Sequence, residues 1–133
     1  KDIISIGGFT PDKTYIFANS EEISRNPTLM ANFIAMAGVT KGVDIEAIFG
    51  MSTSNKDKDG EFRESDTVGR IVWPVFQSLP AFSSTFNNKL FSHDTEDRYC
   101  LVAMAIDQDP YFRMTRDVCS KIKAPKPAGL YSK

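Results

Sequence analysis

The sequence predicts an α/β fold built on a parallel sheet, and three observations predict it. Tyr99 to Ile106, YCLVAMAI, is a nearly unbroken apolar run bounded by charge, as in a strand buried on both faces. The run passes directly into a helical pattern at Asp109, whose side chain can accept from orphan amides, while Pro110 loses nothing at the first helical position. A further strand is expected from Ala128 to Tyr131. In open sheets of this kind ligands bind beyond the carboxyl ends of the strands, which points to Asp107, Gln108 and the first helical turn. The same DQDP run also reads as nothing more than a capped strand-to-helix turn.

With 133 residues, 41% of them hydrophobic, the chain suits one domain with one core, spanning residues 1–133. Sixteen basic against seventeen acidic residues leave a net charge of −1, too little to draw RNA onto this surface by a general field. No apolar run approaches a membrane span, and Lys1 to Thr10 lacks the layout of a signal peptide, so a cytosolic, reducing setting is expected. Cys100 and Cys119 lack CxxC spacing and read as small core residues. The single histidine, His93, lies in a polar loop, so neither a Ser/His/Asp triad nor a histidine metal site has a seed. No residue is expected to act as acid, base or nucleophile, and catalysis would consist of binding and positioning.

Taken in order, Asp2 to Gly7 reads as the last turns of a helix stopped by Gly7 and Gly8. KTYIFA, Lys13 to Ala18, alternates and is rich in β-formers, which favours a strand. Asn26 before Pro27 is a cap followed by a first-turn proline, and Leu29, Met30, Phe33, Ile34, Met36 and Ala37 then give an apolar helix face. Ile45, Ile48 and Phe49 mark a short helix ending at Gly50.

Met51 to Asp66 is polar and charge-dense, and reads as a solvated loop. Asn55, Asp57, Asp59, Gly60 and Asp66 match the first, third, fifth, sixth and last positions of a calcium loop. Asn is a poor first ligand there, and an Asp cannot reach as the last, bidentate Glu does. Ser65 or Asp66 can cap the next helix, Thr67 to about Leu79, in which Trp73 and Gln77 share a face. Pro74 must kink that helix or open a fresh turn, and Gln77 reads equally as an amide satisfied internally. Pro80 to Asp97 is connection, anchored by Phe82, Phe86, Leu90 and Phe91. Tyr111, Met114, Val118, Cys119 and Ile122 form the inner stripe of the last helix.

AIDQDPYFRMTRD, Ala105 to Asp117, with PKPA at Pro125 to Ala128, closely resembles the eukaryotic and archaeal type of tryptophanyl-tRNA synthetase. The likeness extends to KDIISIGGF at Lys1 and IVWPVFQSLPAFSSTF at Ile71 to Phe86, so the chain resembles an internal slice of that catalytic domain. The resemblance implies part of a Rossmann-type parallel sheet with flanking helices, in a class I enzyme that joins ATP and tryptophan as tryptophanyl adenylate and passes the amino acid to tRNA(Trp). It implies that Gln77 and Gln108 meet the amino and carboxylate end of tryptophan, and that Phe112, Trp73 and Met104 line the indole pocket. Aromatic and thioether walls suit a flat apolar ring. It places Asp107 on the ATP ribose, with Ala105 and Ile106 beside the nucleotide, Mg2+ arriving with ATP and no metal held by the chain itself. Arg113 and Arg116 are expected to support the turn by pairing with Asp109 or Asp117. Met104 and Trp73 stand where such enzymes often carry cysteine and phenylalanine, which puts the pocket's shape in question.

The resemblance further implies a homodimer joined through residues from about Pro27 to Phe91, a cytoplasmic setting and no membrane partner. Neither a HIGH-type element nor a KMSKS loop occurs in the sequence. MSTS at Met51 has no preceding lysine and stands on the wrong side of the DQ element. The chain is therefore expected to carry half a site and to be inactive alone. The competing readings are a free-standing α/β module that holds a small aromatic ligand or a protein partner, and an assembly domain with exposed phenylalanines such as Phe82 and Phe86.

Overall fold

Asn26 opens the longest helix, accepting from the backbone amides of Thr28 and Leu29, just ahead of Pro27 in the first turn. The computed structural model describes residues 2–52, 54–56, 59–60, 64–90 and 96–131. The helices are α1 Asp2–Gly7, α2 Asn19–Arg25, α3 Pro27–Val39, α4 Gly42–Phe49, α5 Val68–Ser78, α6 Asn87–Leu90 and α7 Asp109–Val118. Strands β1 Leu101–Met104 and β2 Ala128–Tyr131 pair in parallel, Leu101 opposite Ala128 and Met104 opposite Tyr131. α7 and a 3-10 turn, Cys119–Ile122, make the crossover between them. The result is a set of helices with a small parallel sheet, the architecture of a partial Rossmann-type domain. No described helix is long and apolar enough to cross a membrane.

The core lies where α3, α5 and α7 meet. Leu29 and Met36 of α3 pack with Val75, Leu79 and Phe82, and with Val118 and Cys119 at the end of α7. Phe33 stacks on Phe76 with ring centroids 4.1 Å apart. Each such buried side chain contributes about 1.5–3 kcal/mol. Two buried polar pins fix the helices in register. The Thr115 hydroxyl of α7 donates to the Ser78 hydroxyl of α5 at 2.6 Å, and Ser78 donates to the Pro74 carbonyl at 2.8 Å. The other pin is Asn26, whose amide donates to Glu22 at 2.8 Å and to the Thr85 carbonyl at 2.9 Å. Glu22 also accepts from the Tyr15 hydroxyl.

Several expectations are corrected. Tyr99 to Ile106 is not a strand buried on both faces: Tyr99 is 83% exposed and Leu101 66%. Among the described residues β1 has one strand neighbour, and along it Leu101 and Ala103 are exposed while Val102 and Met104 are half-buried. Lys13 to Ala18 forms no ladder. Side chains hold it instead, with Phe17 packed against Phe86 at 4.7 Å and Tyr15 bonded to Glu22. α2 fills a stretch to which the sequence assigned no element. Ile34 is 67% exposed and so lies off the inner face of α3.

Helix caps also differ. Thr67, not Ser65 or Asp66, caps α5 by accepting from the Arg70 amide. Asp66 instead accepts from the Ser52 amide at 2.9 Å and pairs with Arg70, closing the base of the charged loop. Asp109 is the first residue of α7 rather than its cap, because Arg113 and Arg116 take its carboxylate. α5 runs unbroken through Pro74. Phe82 and Phe86 are buried, which removes the assembly reading based on their exposure. Cys119 is fully buried as expected, whereas Cys100 is only partly so. His93, Phe91 and Asp57 lie outside the described residues.

Other expectations hold: α1 ends at glycines with Gly8 at φ 60°, α4 ends at Gly50 with φ 68°, and β2 covers Ala128–Tyr131.

Candidate functional site

β1 ends at Met104, Ala105 continues it in extended conformation, and the Ala105 carbonyl then accepts from the Gln108 amide at 3.0 Å. That bond closes the 3-10 turn Ile106–Gln108 and aims Gln108 across the carboxyl end of the strand. Asp109 locks the next turn. Its carboxylate accepts from Arg113 and Arg116, each at 3.2 Å, and the hydrogen bond from Arg116 is the chief cause holding its carboxyl below the usual range. The expected support of this turn by both arginines is thus observed, through Asp109.

Gln77 comes to the same place from α5. Its Nε2 donates to Gln108 Oε1 at 3.5 Å, a long contact between two side chains 31 residues apart. The neighbouring Ser78–Thr115 pin holds α5 against α7 at this level. The two amides stand at a hollow of about 340 Å³, lined also by Met104, Phe112, Phe76 and Val102. Ala103, with Asn19 and Pro80, completes the lining. Its volume is at the lower end of the roughly 300–1,000 Å³ usual for small-molecule sites. Apolar walls with two convergent amides suit a ligand with one flat apolar part and one polar end.

The structure thus brings Gln77, Gln108, Met104 and Phe112 around one hollow. Trp73 is placed next to it, lining a crevice of about 30 Å³ that shares Asn19, Phe76 and Pro80 with the larger hollow. Ala105, Ile106 and Asp107 lie on the outer side of the turn, all exposed. Asn19, Phe76, Pro80, Val102 and Ala103 were not singled out from sequence. Val102 shares the face of Met104 by the two-residue strand period, and Phe76 adjoins Gln77, so both carried a signal. Asn19 carried none, since nothing local connects the start of α2 with residues 77 and 108.

Two other hollows are less suited to a directed ligand. One of about 260 Å³ has Asp44, Asp117 and Lys121 around an apolar floor, and one of about 250 Å³ lies against Val43, Ile45 and Ile71. Neither offers paired amides. Burial pushes the thiols of Cys100 and Cys119 up, which removes thiolate character.

No family model matches the sequence. The cytoplasmic tryptophan–tRNA ligase of Rattus norvegicus is 41% identical over 132 residues, which are 99% of this chain and 24% of that protein. The chain is homologous to a segment of the tryptophan–tRNA ligases. It spans about a quarter of the ligases it matches, the human cytoplasmic enzyme included at 39% identity and 25% of its length. Solved structures agree with this placement. The tryptophanyl-tRNA synthetase of Plasmodium falciparum superposes with a TM-score of 0.76 at 34% identity, over 98% of this chain and 32% of that one. That of Encephalitozoon cuniculi, bound to tryptophan, gives 0.75 at 27% identity over 99% of this chain and 33% of its own.

Proposed function

We propose that this chain supplies part of the tryptophan and ATP site of a tryptophan–tRNA ligase. The observation that carries the reading is the meeting of Gln77 and Gln108 at a hollow walled by Met104 and Phe112, at the carboxyl end of β1. The indole would lie against Phe112 and Met104, and the two amides would take the amino and carboxylate groups of tryptophan. Trp73, half exposed beside the hollow, would close the ring's outer edge. A relative 27% identical is described as bound to tryptophan, which supports that ligand.

Activation would join the tryptophan carboxylate to the α-phosphate of ATP, with pyrophosphate leaving. This chain's residues bind and orient. Asp107, an exposed carboxylate just past the strand end, suits ribose hydroxyls, with Ala105 and Ile106 alongside the nucleotide. Mg2+ would enter together with ATP. The charge stabilisation of the phosphorus centre would come from HIGH- and KMSKS-type elements beyond this sequence.

The proposal extends to tRNA(Trp) as final acceptor, a cytoplasmic setting as in the relatives' names, one partial catalytic domain over residues 1–133, and a homodimer. The interface would lie within residues 27–91, where it would cover the exposed side chains of Ile34, Val43 and Val68.

The test is Gln108→Leu in the complete protein bearing this chain. Losing a hydrogen bond to a charged group costs about 1.5–3 kcal/mol, roughly ten- to a hundredfold in binding. The tryptophan KM for pyrophosphate exchange should rise by that factor and the ATP KM hardly at all. An unchanged tryptophan KM removes Gln108 from the site.

A further inference from the structure

β2 carries a glycine where a strand would favour a branched or aromatic residue, and the space above it is already taken. A Cβ added at Gly129 would stand 2.7 Å from the Met104 Cε methyl and 3.2 Å from Tyr131 Cε1. Two carbons prefer about 3.5–4.0 Å, so the methyl is about 0.8 Å or more too close for any side chain at 129. In the parallel register Gly129 lies opposite Val102. Successive strand residues alternate in face, so Val102, Met104, Gly129 and Tyr131 share the face toward the hollow.

From this we infer that Gly129 is a specificity-determining position, because its missing side chain is the seat in which the Met104 thioether lies. The Met104 methyl thus lies over Gly129, while the residue itself lines the hollow together with Gln77 and Gln108. A side chain at 129 lifts the methyl. The Tyr131 ring flanks the seat, so the open direction is the hollow, and an unbranched thioether turns readily into open space. Residue 129 thereby sets the depth of a pocket that it does not line. The consequence for the ligand rests on the tryptophan reading above; the seating of Met104 does not.

The experiment uses the complete protein labelled with [methyl-13C]methionine, with tryptophan affinity measured by calorimetry. In Gly129→Ala the Met104 methyl resonance, assigned by its loss in Met104→Ala, should move, and tryptophan should bind roughly tenfold more weakly, the scale of one methyl-sized intrusion into a packed site. In the Met104→Ala background Gly129→Ala should leave the affinity unchanged, since no methyl remains to be displaced. An unmoved methyl resonance, or the same loss of affinity in both backgrounds, overturns the inference. If the unsubstituted protein fails to bind tryptophan, the function proposed above is refuted and the pocket-depth role with it, while the methyl resonance still decides whether Gly129 seats Met104.

Discussion

Replacing Asn26 by Asp separates a helix cap from a contact with a buried carboxylate. Asn26 is 2% exposed and Glu22 4%. The Asn26 carbonyl oxygen caps α3, and its amide nitrogen donates to Glu22 Oε2 at 2.8 Å and to the Thr85 carbonyl at 2.9 Å. Asp caps a helix as well as Asn does, so the cap survives in Asn26→Asp. The donor is replaced by a second carboxylate oxygen facing Glu22, and one of the two must hold a proton. Holding it at pH 7, about three units above an ordinary carboxylate pKa, costs about 4 kcal/mol. The folded variant then carries a proton that the unfolded chain has released, so its stability falls as pH rises, by about 1.4 kcal/mol per unit above roughly pH 4.5.

The unsubstituted chain behaves oppositely. The Tyr15 hydroxyl, and less strongly the Asn26 amide, hold the Glu22 carboxyl below its usual range against the opposing effect of burial. That stabilisation is complete above the ordinary carboxylate pKa and is lost only as pH falls through the lowered value, so Glu22 adds no slope between about pH 5 and 7. Asn26→Ala is the comparator. It loses the cap and a charged hydrogen bond, together about 2–4 kcal/mol, with little pH dependence over that window. Urea unfolding of the three chains between pH 5 and 7 reads both quantities. A flat profile for Asn26→Asp, or stability equal to the unsubstituted chain at pH 7, would refute this reading of the contact.

Thr115→Val keeps shape but removes the donor to Ser78, and should cost about 1 kcal/mol in urea unfolding; a stabilised variant would contradict the pin between α5 and α7. The loop between Ser52 and Asp66 should show no specific calcium site, because the Asp66 carboxylate is committed to the Ser52 amide and Arg70. A micromolar, magnesium-resistant signal in calorimetry, lost in Asp59→Ala, would say otherwise. Residues 1–133 alone should not exchange pyrophosphate into ATP with tryptophan, since oriented donors of the missing kind contribute about a hundred- to a thousandfold each. Exchange above a tryptophan-free blank, abolished by Gln108→Leu, would show that this half of the site suffices.

Local signals sufficed wherever the cause was local. Asn26 with Pro27 announced α3, Gly50 ended α4, and the apolar stripe through Met114 and Val118 announced α7, because caps, left-handed glycines and helical periodicity act within a turn or two of the chain. The DQ turn after an apolar run was legible for the same reason, as the place to look for a site. Tertiary structure decided what depended on neighbours distant in sequence. KTYIFA has the composition of a strand, yet its aromatic rings found Phe86 and its tyrosine found Glu22, so no ladder formed. The Asp66 carboxylate went to the Ser52 amide, fourteen residues back in the chain, instead of to a helix cap. The hollow itself combines α2, α5, β1 and the start of α7, and the methyl of Met104, one of its lining residues, lies against Gly129 of β2. Spacing along one chain carries no information about such meetings, because what joins Gln77 to Gln108, or Gly129 to Met104, is the packing of whole elements against each other.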